Sequence, residues 1–474
     1  MIPPNLLHGV FAMTCHPSLF SSWLLSLSCS AALATFGQPV RADDAQQGTW
    51  SITLQRVTQI QSPRWDSPKI LEETGTLQLG NDSYELRMPN STDAYSSDTK
   101  TIVTLDPRKM EHVSMPVHAL VWFYNSETEH RNALCHAMES AQLSLEEMEP
   151  CSRFEIESLF GYMHPEAAKV FDQQTVKIDK REVEGKLHFE SDGKLAVTFQ
   201  PSTNQLDKRH SHMFRRFLAH QCKMHPDIRH AVSDLAVLPV SMSFRTREGT
   251  THKTIEYRFT NVAYLKENHH FEIPKEYSAK SNVPRIEVIL SKLGSVQIPS
   301  RDEIYQKAVS QIDSYLASHR LEDAVLAANR YLILTDNDQG LRELLTRCGG
   351  VADRKIRQIV YGLASLREIK DIKLQIGSEK DSMAYLLDYY LADVAMAQHR
   401  NQEPIMESLL HALENDPLLV GAYIDLWRVL LQEWDPYTAW RCVQAARRIS
   451  PLHSDLVPVN QLERRLELDS PDFF

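Results

Sequence analysis

The stretch YIDLWRVLLQEWDPYTAWRCVQAARRISP, Tyr423 to Pro451, decides how this chain is read. In the helical period Tyr423, Leu426 and Leu430 share one face, and Asp435-Pro436 ends that helix. Ala439, Val443 and Ala446 then line a second helix, which stops at Ser450-Pro451. The preceding stop, Asp416-Pro417, lies 34 residues earlier (451 − 417), and before it Tyr389, Ala392, Met396, Ile405, Leu409 and Ala412 hold the matching places. Such a unit leaves one face uncovered and is stabilised by stacking on its neighbours. Outward from this stretch, Ser300 with Glu303 gives a capping box that opens the helical part. Leu321 to Asp336 is a weaker second helix with Ala324, Ala328 and Tyr331. Cys348-Gly349-Gly350 and Gly377-Ser378 interrupt the helices after it. Leu456 to Leu468 is expected to cap the array.

A helix–turn–helix period of this length, with small residues at the second-helix crossings and a closing Pro, resembles the tetratricopeptide repeat. The resemblance implies a non-catalytic scaffold that docks a protein or peptide partner. Tyr390, Trp427 and Trp434 are its candidate partner-binding residues. Trp427 replaces the small residue found where helices of that family pack closest, so its indole either widens the crossing or turns to solvent as an anchor.

From Thr49 to about Pro274 the apolar period is two. Leu77, Leu79 / Gly80-Asn81-Asp82 / Tyr84, Leu86 reads as a hairpin, and so does Ile102, Val103, Leu105 / Asp106-Pro107-Arg108 / His112 to Met115. Leu187, Phe189 / Asp192-Gly193 / Leu195, Val197, Phe199 is the clearest, because Asp-Gly suits the strand twist. Ser241 to Arg245, Glu248-Gly249, then Ile255, Tyr257 and Phe259 make another. Val117 to Tyr124 is apolar on both faces and is expected as a central strand. Leu143 to Phe160 and Ser211 to Leu235 are expected as helices, the second broken at Pro226. The resulting fold class is α+β: an N-terminal curved antiparallel sheet packed on helices, then an all-α, tetratricopeptide-like helical array. Thr101 to Met110, and the closing segments Phe259 to Val262 and Phe271 to Pro274, are similar to periplasmic lipoprotein-carrier-like domains. That resemblance implies an apolar concave face for acyl chains, and with it an alternative function as a lipid or lipoprotein carrier or chaperone.

The net charge of −11 and the lack of a long Lys/Arg run argue against nucleic acid. Glycine is scarce, 16 in 474, and no phosphate-binding glycine loop, GxSxG or HExxH motif occurs, so no cofactor and no catalytic residue is assigned. A hydrolase with an unidentified site is the third reading. The apolar run Leu19 to Ala34, followed by Val40-Arg41-Ala42 (or, earlier, Ala32-Leu33-Ala34), reads as a secretory signal. The expected organisation is a signal peptide over 1–42, a β-rich carrier-like domain over 43–274, a linker over 275–300 and the helical domain over 301–474, in a periplasmic, envelope-associated or secreted protein. In an oxidising compartment Cys135 and Cys151, 16 residues apart, are the expected disulfide, and Cys222, Cys348 and Cys442 are expected as buried thiols. The densest histidine cluster suggests His220, Cys222 and His225 as soft-metal ligands. Their spacing is poor, since on a helix His220 and Cys222 point about 200° apart, and the alternative is a surface helix with Arg215, Arg216, Lys223 and Arg229 in water.

Overall fold

Turn residues and period-two alternation fold most of the first half of the chain into one sheet. The structure is a computed structural model. It describes residues 48–141 and 176–474 except 63, 192, 223, 249–250, 281–283, 349–357, 359–363, 378–381 and 399–400, together with Phe154 and Ser158. The strands are β1 (Thr49–Gln61), β2 (Lys69–Leu79), β3 (Ser83–Met88), β4 (Ser91–Ser96), β5 (Thr101–Asp106) and β6 (Glu111–Pro116). They continue with β7 (Ile178–Val183), β8 (Lys186–Ser191), β9 (Lys194–Gln205), β10 (Val237–Glu248), β11 (Thr251–Leu265) and the two-residue β12 (Ser278–Ala279). All belong to one curved 12-stranded sheet in the order β12-β6-β5-β4-β3-β2-β1-β11-β10-β9-β8-β7. Neighbours are antiparallel, except that β12 lies parallel to β6.

The hairpins pair as their turns require. Leu79 faces Tyr84 and Leu77 faces Leu86, Leu105 faces His112, and Phe189 faces Val197 around Gly193 at φ +73°. Gly75 has a different reason to be glycine: a Cβ there would run into the Arg87 carbonyl and the Met88 sulfur. The long strands β1 and β11 pair with each other and join the two meanders.

The helices in the first part are α1 (Val117–Ser140), α2 (Lys208–Gln221) and α3 (Pro226–Ser233). Asp207 caps α2, and Pro226 sits at the first turn of α3, so proline breaks the helical stretch where expected. α2 lays Phe214, Phe217 and Leu218, all fully buried, on the inner face of the sheet. Phe217 meets Tyr84 edge-on at 5.6 Å and Phe214 meets Phe259 at 6.5 Å.

The array comprises α4 (Pro284–Ser295), α5 (Arg301–Ala317), α6 (Leu321–Thr335), α7 (Asp338–Arg347), α8 (Leu366–Ile376), α9 (Leu386–Ala397), α10 (Gln402–Asn415), α11 (Val420–Gln432), α12 (Pro436–Ile449) and α13 (Val457–Asp469). The Ser300–Glu303 capping box forms at the start of α5. The pair α11/α12 begins 34 residues after α9/α10 at both helices (420 − 386 and 436 − 402). Tyr423, Leu426, Leu430, Ala439, Val443 and Ala446 are all buried.

Three local expectations are corrected. Val117 to Tyr124 is not a strand but the start of α1. It is apolar all round because α1 is wedged between β6 and the helices α12 and α13. The stretch 275–300 is not merely a polar connector: α4 buries Ile286, Ile289 and Leu293, and its Arg285 reaches Glu414 at 2.8 Å and Glu407 at 2.5 Å on α10. Arg229 does not lie in water on a surface helix, but is buried and meets Asp472 at 3.6 Å. The expected helix Leu143 to Phe160 and the signal segment 1–42 lie outside the described residues, but for Phe154 and Ser158.

Ala446 has no exposed surface, whereas Gln444 on the same helix is exposed. Ala446→Phe is expected to over-pack the α11/α12 crossing and cost about 1–3 kcal/mol. Gln444→Phe is expected to cost under about 0.5 kcal/mol. Chemical denaturation of the full chain checks both, and equal costs would mean that α12 is rotated from this arrangement.

Candidate functional site

Two of the three candidate partner anchors are core. Tyr390 is packed edge-on against Tyr389, with centroids 5.5 Å apart, and Trp427 against Trp440 at 6.2 Å; both are buried. The indole at 427 is thus accommodated inside the hairpin crossing. Its Nε1 has no hydrogen-bond partner among the described residues. Trp434, in the α11–α12 turn at φ +59°, is 38% exposed. It stacks on His130 of α1 at 4.4 Å and lies 6.0 Å from Trp122, so it fastens the array to α1.

The metal candidates are each engaged elsewhere. His220 Nε2 donates to the Phe473 carbonyl at 3.1 Å, which leaves Nδ1 to accept from the Tyr84 hydroxyl at 3.0 Å. Burial holds this imidazole neutral, with its pKa pulled down to about 3. Cys222 caps α2 through its N–H to the Leu218 carbonyl, and burial pushes its thiol up. His225 caps α3, accepting from the Asp227 N–H at 3.2 Å, and its ring lies parallel to Phe154 at 5.6 Å. Among the described residues no group of three or more His, Cys, Asp or Glu side chains is placed to hold a metal ion. Cys222, Cys348 and Cys442 are buried free thiols. The side chains of the expected disulfide pair, Cys135 and Cys151, fall outside the described residues.

A cleft of about 340 Å³ lies beside α9 and α11, the first helices of the two matching hairpins. Asp393, Met396 and Ala397 of α9, Gln402 at the start of α10, and Arg428, Val429 and Gln432 of α11 line it. Gln402 donates to Gln432 Oε1 at 2.5 Å, while its own Oε1 is buried without a partner among the described residues. Arg428 pairs with Asp425 at 2.6 Å. Asp425 is buried, and burial pushes its carboxyl up to about 7, against the opposing pull of Arg428 and with help from Asp393 and Asp455. Among the residues that line the cleft, Asp393 is the one carboxylate and Arg428 the one guanidinium. Its described lining holds no hydroxyl, thiol or imidazole. Sequence periodicity placed Met396 on a helix face but gave no sign of Gln402 or Arg428, which meet only when the hairpins stack.

On the sheet, a polar recess of about 50 Å³ lies between Asn81–Ser83 and Asn268–Phe271. The inner face, where an acyl chain would lie in a carrier, is occupied by the aromatic stripe of α2. No described helix is long and apolar enough to cross a membrane.

No family model matches this chain, and no curated protein sequence matches it. Among solved structures it is similar to one of lipid–protein interactions in lipovitellin, at 9% identity and a TM-score of 0.17. The alignment covers 90% of this chain and 49% of that one, so this chain spans about half the length of lipovitellin's. A likeness that slight carries nothing about ligand or activity.

The buried imidazole has a measurable consequence. A histidine held neutral in the fold, against an unfolded value near 6.5, favours unfolding as pH falls from about 6.5 toward about 3. The histidine's own contribution to stability is expected to drop by roughly 1 kcal/mol per pH unit over that window. Glu467 and Asp472 are held below the usual carboxylate range by Lys100 and His118, and by His230 and Arg229, so their contribution is full above pH ~4 and is lost only below it. Asp425, raised to about 7 by burial, titrates in the same window with the opposite sign, so the histidine is read by difference: between pH 7 and 4.5 the stability of His220→Phe is expected to fall less, or rise more, than that of wild type.

Proposed function

We propose that this is an exported, non-catalytic binding protein of the cell envelope, whose tetratricopeptide-like array docks an extended peptide segment of a protein partner. One observation carries the reading: a cleft of about 340 Å³ lies beside the first helices of two hairpins in matching register, with Asp393 at its wall and apolar side chains beside it. A lysine or arginine side chain of the partner answers Asp393. Met396 and Val429 give apolar contact between the polar points. The carrier alternative is less well supported, because an acyl chain would have to displace Phe214, Phe217 and Leu218 from the inner face.

A photo-crosslinking residue at Ala397, exposed at the rim of the cleft, tests the reading in the full chain expressed in its own envelope. It is expected to give discrete protein adducts that Asp393→Lys abolishes. The same residue at Leu374, 80% exposed on α8, is expected to give none of them. Identical adducts at both positions, or adducts with lipid alone, would sink the proposal. N-terminal sequencing of envelope material is expected to begin near Asp43, and an intact leader on cytosolic protein would remove the export part.

A further inference from the structure

The α9–α11 cleft carries more polar chemistry than peptide docking uses. Asp393 and Arg428 stand at matching heights, each about two turns into its helix, α9 and α11. Met396, Ala397 and Val429 follow along the wall, and the hydrogen-bonded pair Gln402–Gln432 stands at the far end. The cleft is thus charged at one end, apolar along its middle and neutral-polar at the other end. At the charged end Arg428 uses only Nη1, which donates to Asp425 at 2.6 Å, and its side chain is 46% exposed. Its Nε and Nη2 make no hydrogen bond among the described residues, so one planar edge of the guanidinium is left for a carboxylate. Asp393 likewise accepts no hydrogen bond among the described residues. Burial holds its carboxyl above the usual range, against the pull of Arg428.

Two nearby carboxylates do not cancel this arrangement. Burial pushes Asp425 up to about 7, so near neutral pH it offsets only about half of the Arg428 charge. Asp455 is not part of the lining and lies 3.6 Å from His453 Nδ1. One available charge of each sign at the same end of a cleft, with an apolar wall running away from both, matches the ammonium and carboxylate of an α-amino acid and its side chain. The volume, about 340 Å³, falls within the range of about 300–1,000 Å³ for small-ligand sites. We propose that this cleft binds a free α-amino acid with a straight, uncharged side chain, its ammonium on Asp393, its carboxylate on Arg428 and its side chain along Met396 and Val429. Such a ligand takes the space that the docking reading gives to a partner's peptide, so its concentration sets how far the cleft is open. The inference goes beyond that reading and is measured without a partner.

Calorimetric titration of the full chain with L-methionine tests this, with N-acetyl-L-methionine and L-methioninamide as the arms that lack the ammonium and the carboxylate. L-Methionine is expected to bind at millimolar concentration or below. Each arm is expected to bind at least about tenfold more weakly, since each loses one charge-assisted contact. Asp393→Asn is expected to erase the preference over N-acetyl-methionine and keep the preference over the amide. Arg428→Gln is expected to do the reverse. If Arg428→Gln fails to fold, because it leaves the buried Asp425 without its partner, the Asp393→Asn titrations decide. The inference is overturned if L-methionine gives no saturable binding or if either arm binds as well as it does. It is equally overturned if Asp393→Asn leaves the preferences unchanged or weakens all three probes alike. Failure of the docking reading would show instead as missing protein adducts at Ala397, with these titrations unaffected.

Discussion

Phe214 and Phe217 of α2 press against Tyr84, Tyr257 and Phe259, and the sheet half of this protein depends on that contact. A sheet this wide presents an inner face of Ile52, Leu54, Leu77, Leu86, Met242, Phe199 and Tyr257 that has to be covered. Burying a large apolar side chain contributes roughly 1.5–3 kcal/mol. Phe214, Phe217 and Leu218 together therefore match a sizeable part of a whole domain's net stability of about 5–15 kcal/mol. The helix that stabilises the sheet is thus the element that would have to move for the inner face to receive a ligand. Stability and carriage compete for one surface, and in this structure stability holds it.

The array is fastened to the sheet at several separate points rather than through one hinge. Lys100 and His118 both reach Glu467, and the Tyr437 hydroxyl donates to the Lys280 carbonyl. Most of these pairs are only partly buried, and such pairs are individually weak. The apolar part comes from α1, which buries Val117, Ala119 and Val121, and from Trp434 on Trp122 and His130. The α1 seam therefore carries the apolar share of the join between the parts, and the ion pairs fix its register.

Legibility in the sequence tracks the range of the interactions. The hairpins at Gly80-Asn81-Asp82 and Asp192-Gly193, the break at Pro226 and the Ser300 capping box depend on residues within a few positions, and they form as read. Val117 to Tyr124 was illegible because a short run apolar on all sides has no period to separate helix from strand, and its second cover, α12 and α13, comes some 300 residues later in the chain. Trp427 was ambiguous for the same reason, since only its packing on Trp440 decides that the indole is core. His220 illustrates the limit best. Its spacing to Cys222 and His225 suggests metal, but its two partners are Tyr84, 136 residues before it, and Phe473, 253 residues after it. No local pattern encodes either partner.

Any recognition at the α9–α11 cleft is constrained by what lines it. Asp393 and Arg428 put one charge of each sign on the wall, with Met396 and Val429 between the polar points. The chain as a whole carries −11, so the far field favours the approach of cations. At physiological salt that field decays over about 8 Å, so it can steer an encounter without fixing an orientation. Orientation at the cleft therefore rests on short-range contacts with Asp393, Arg428 and Gln432.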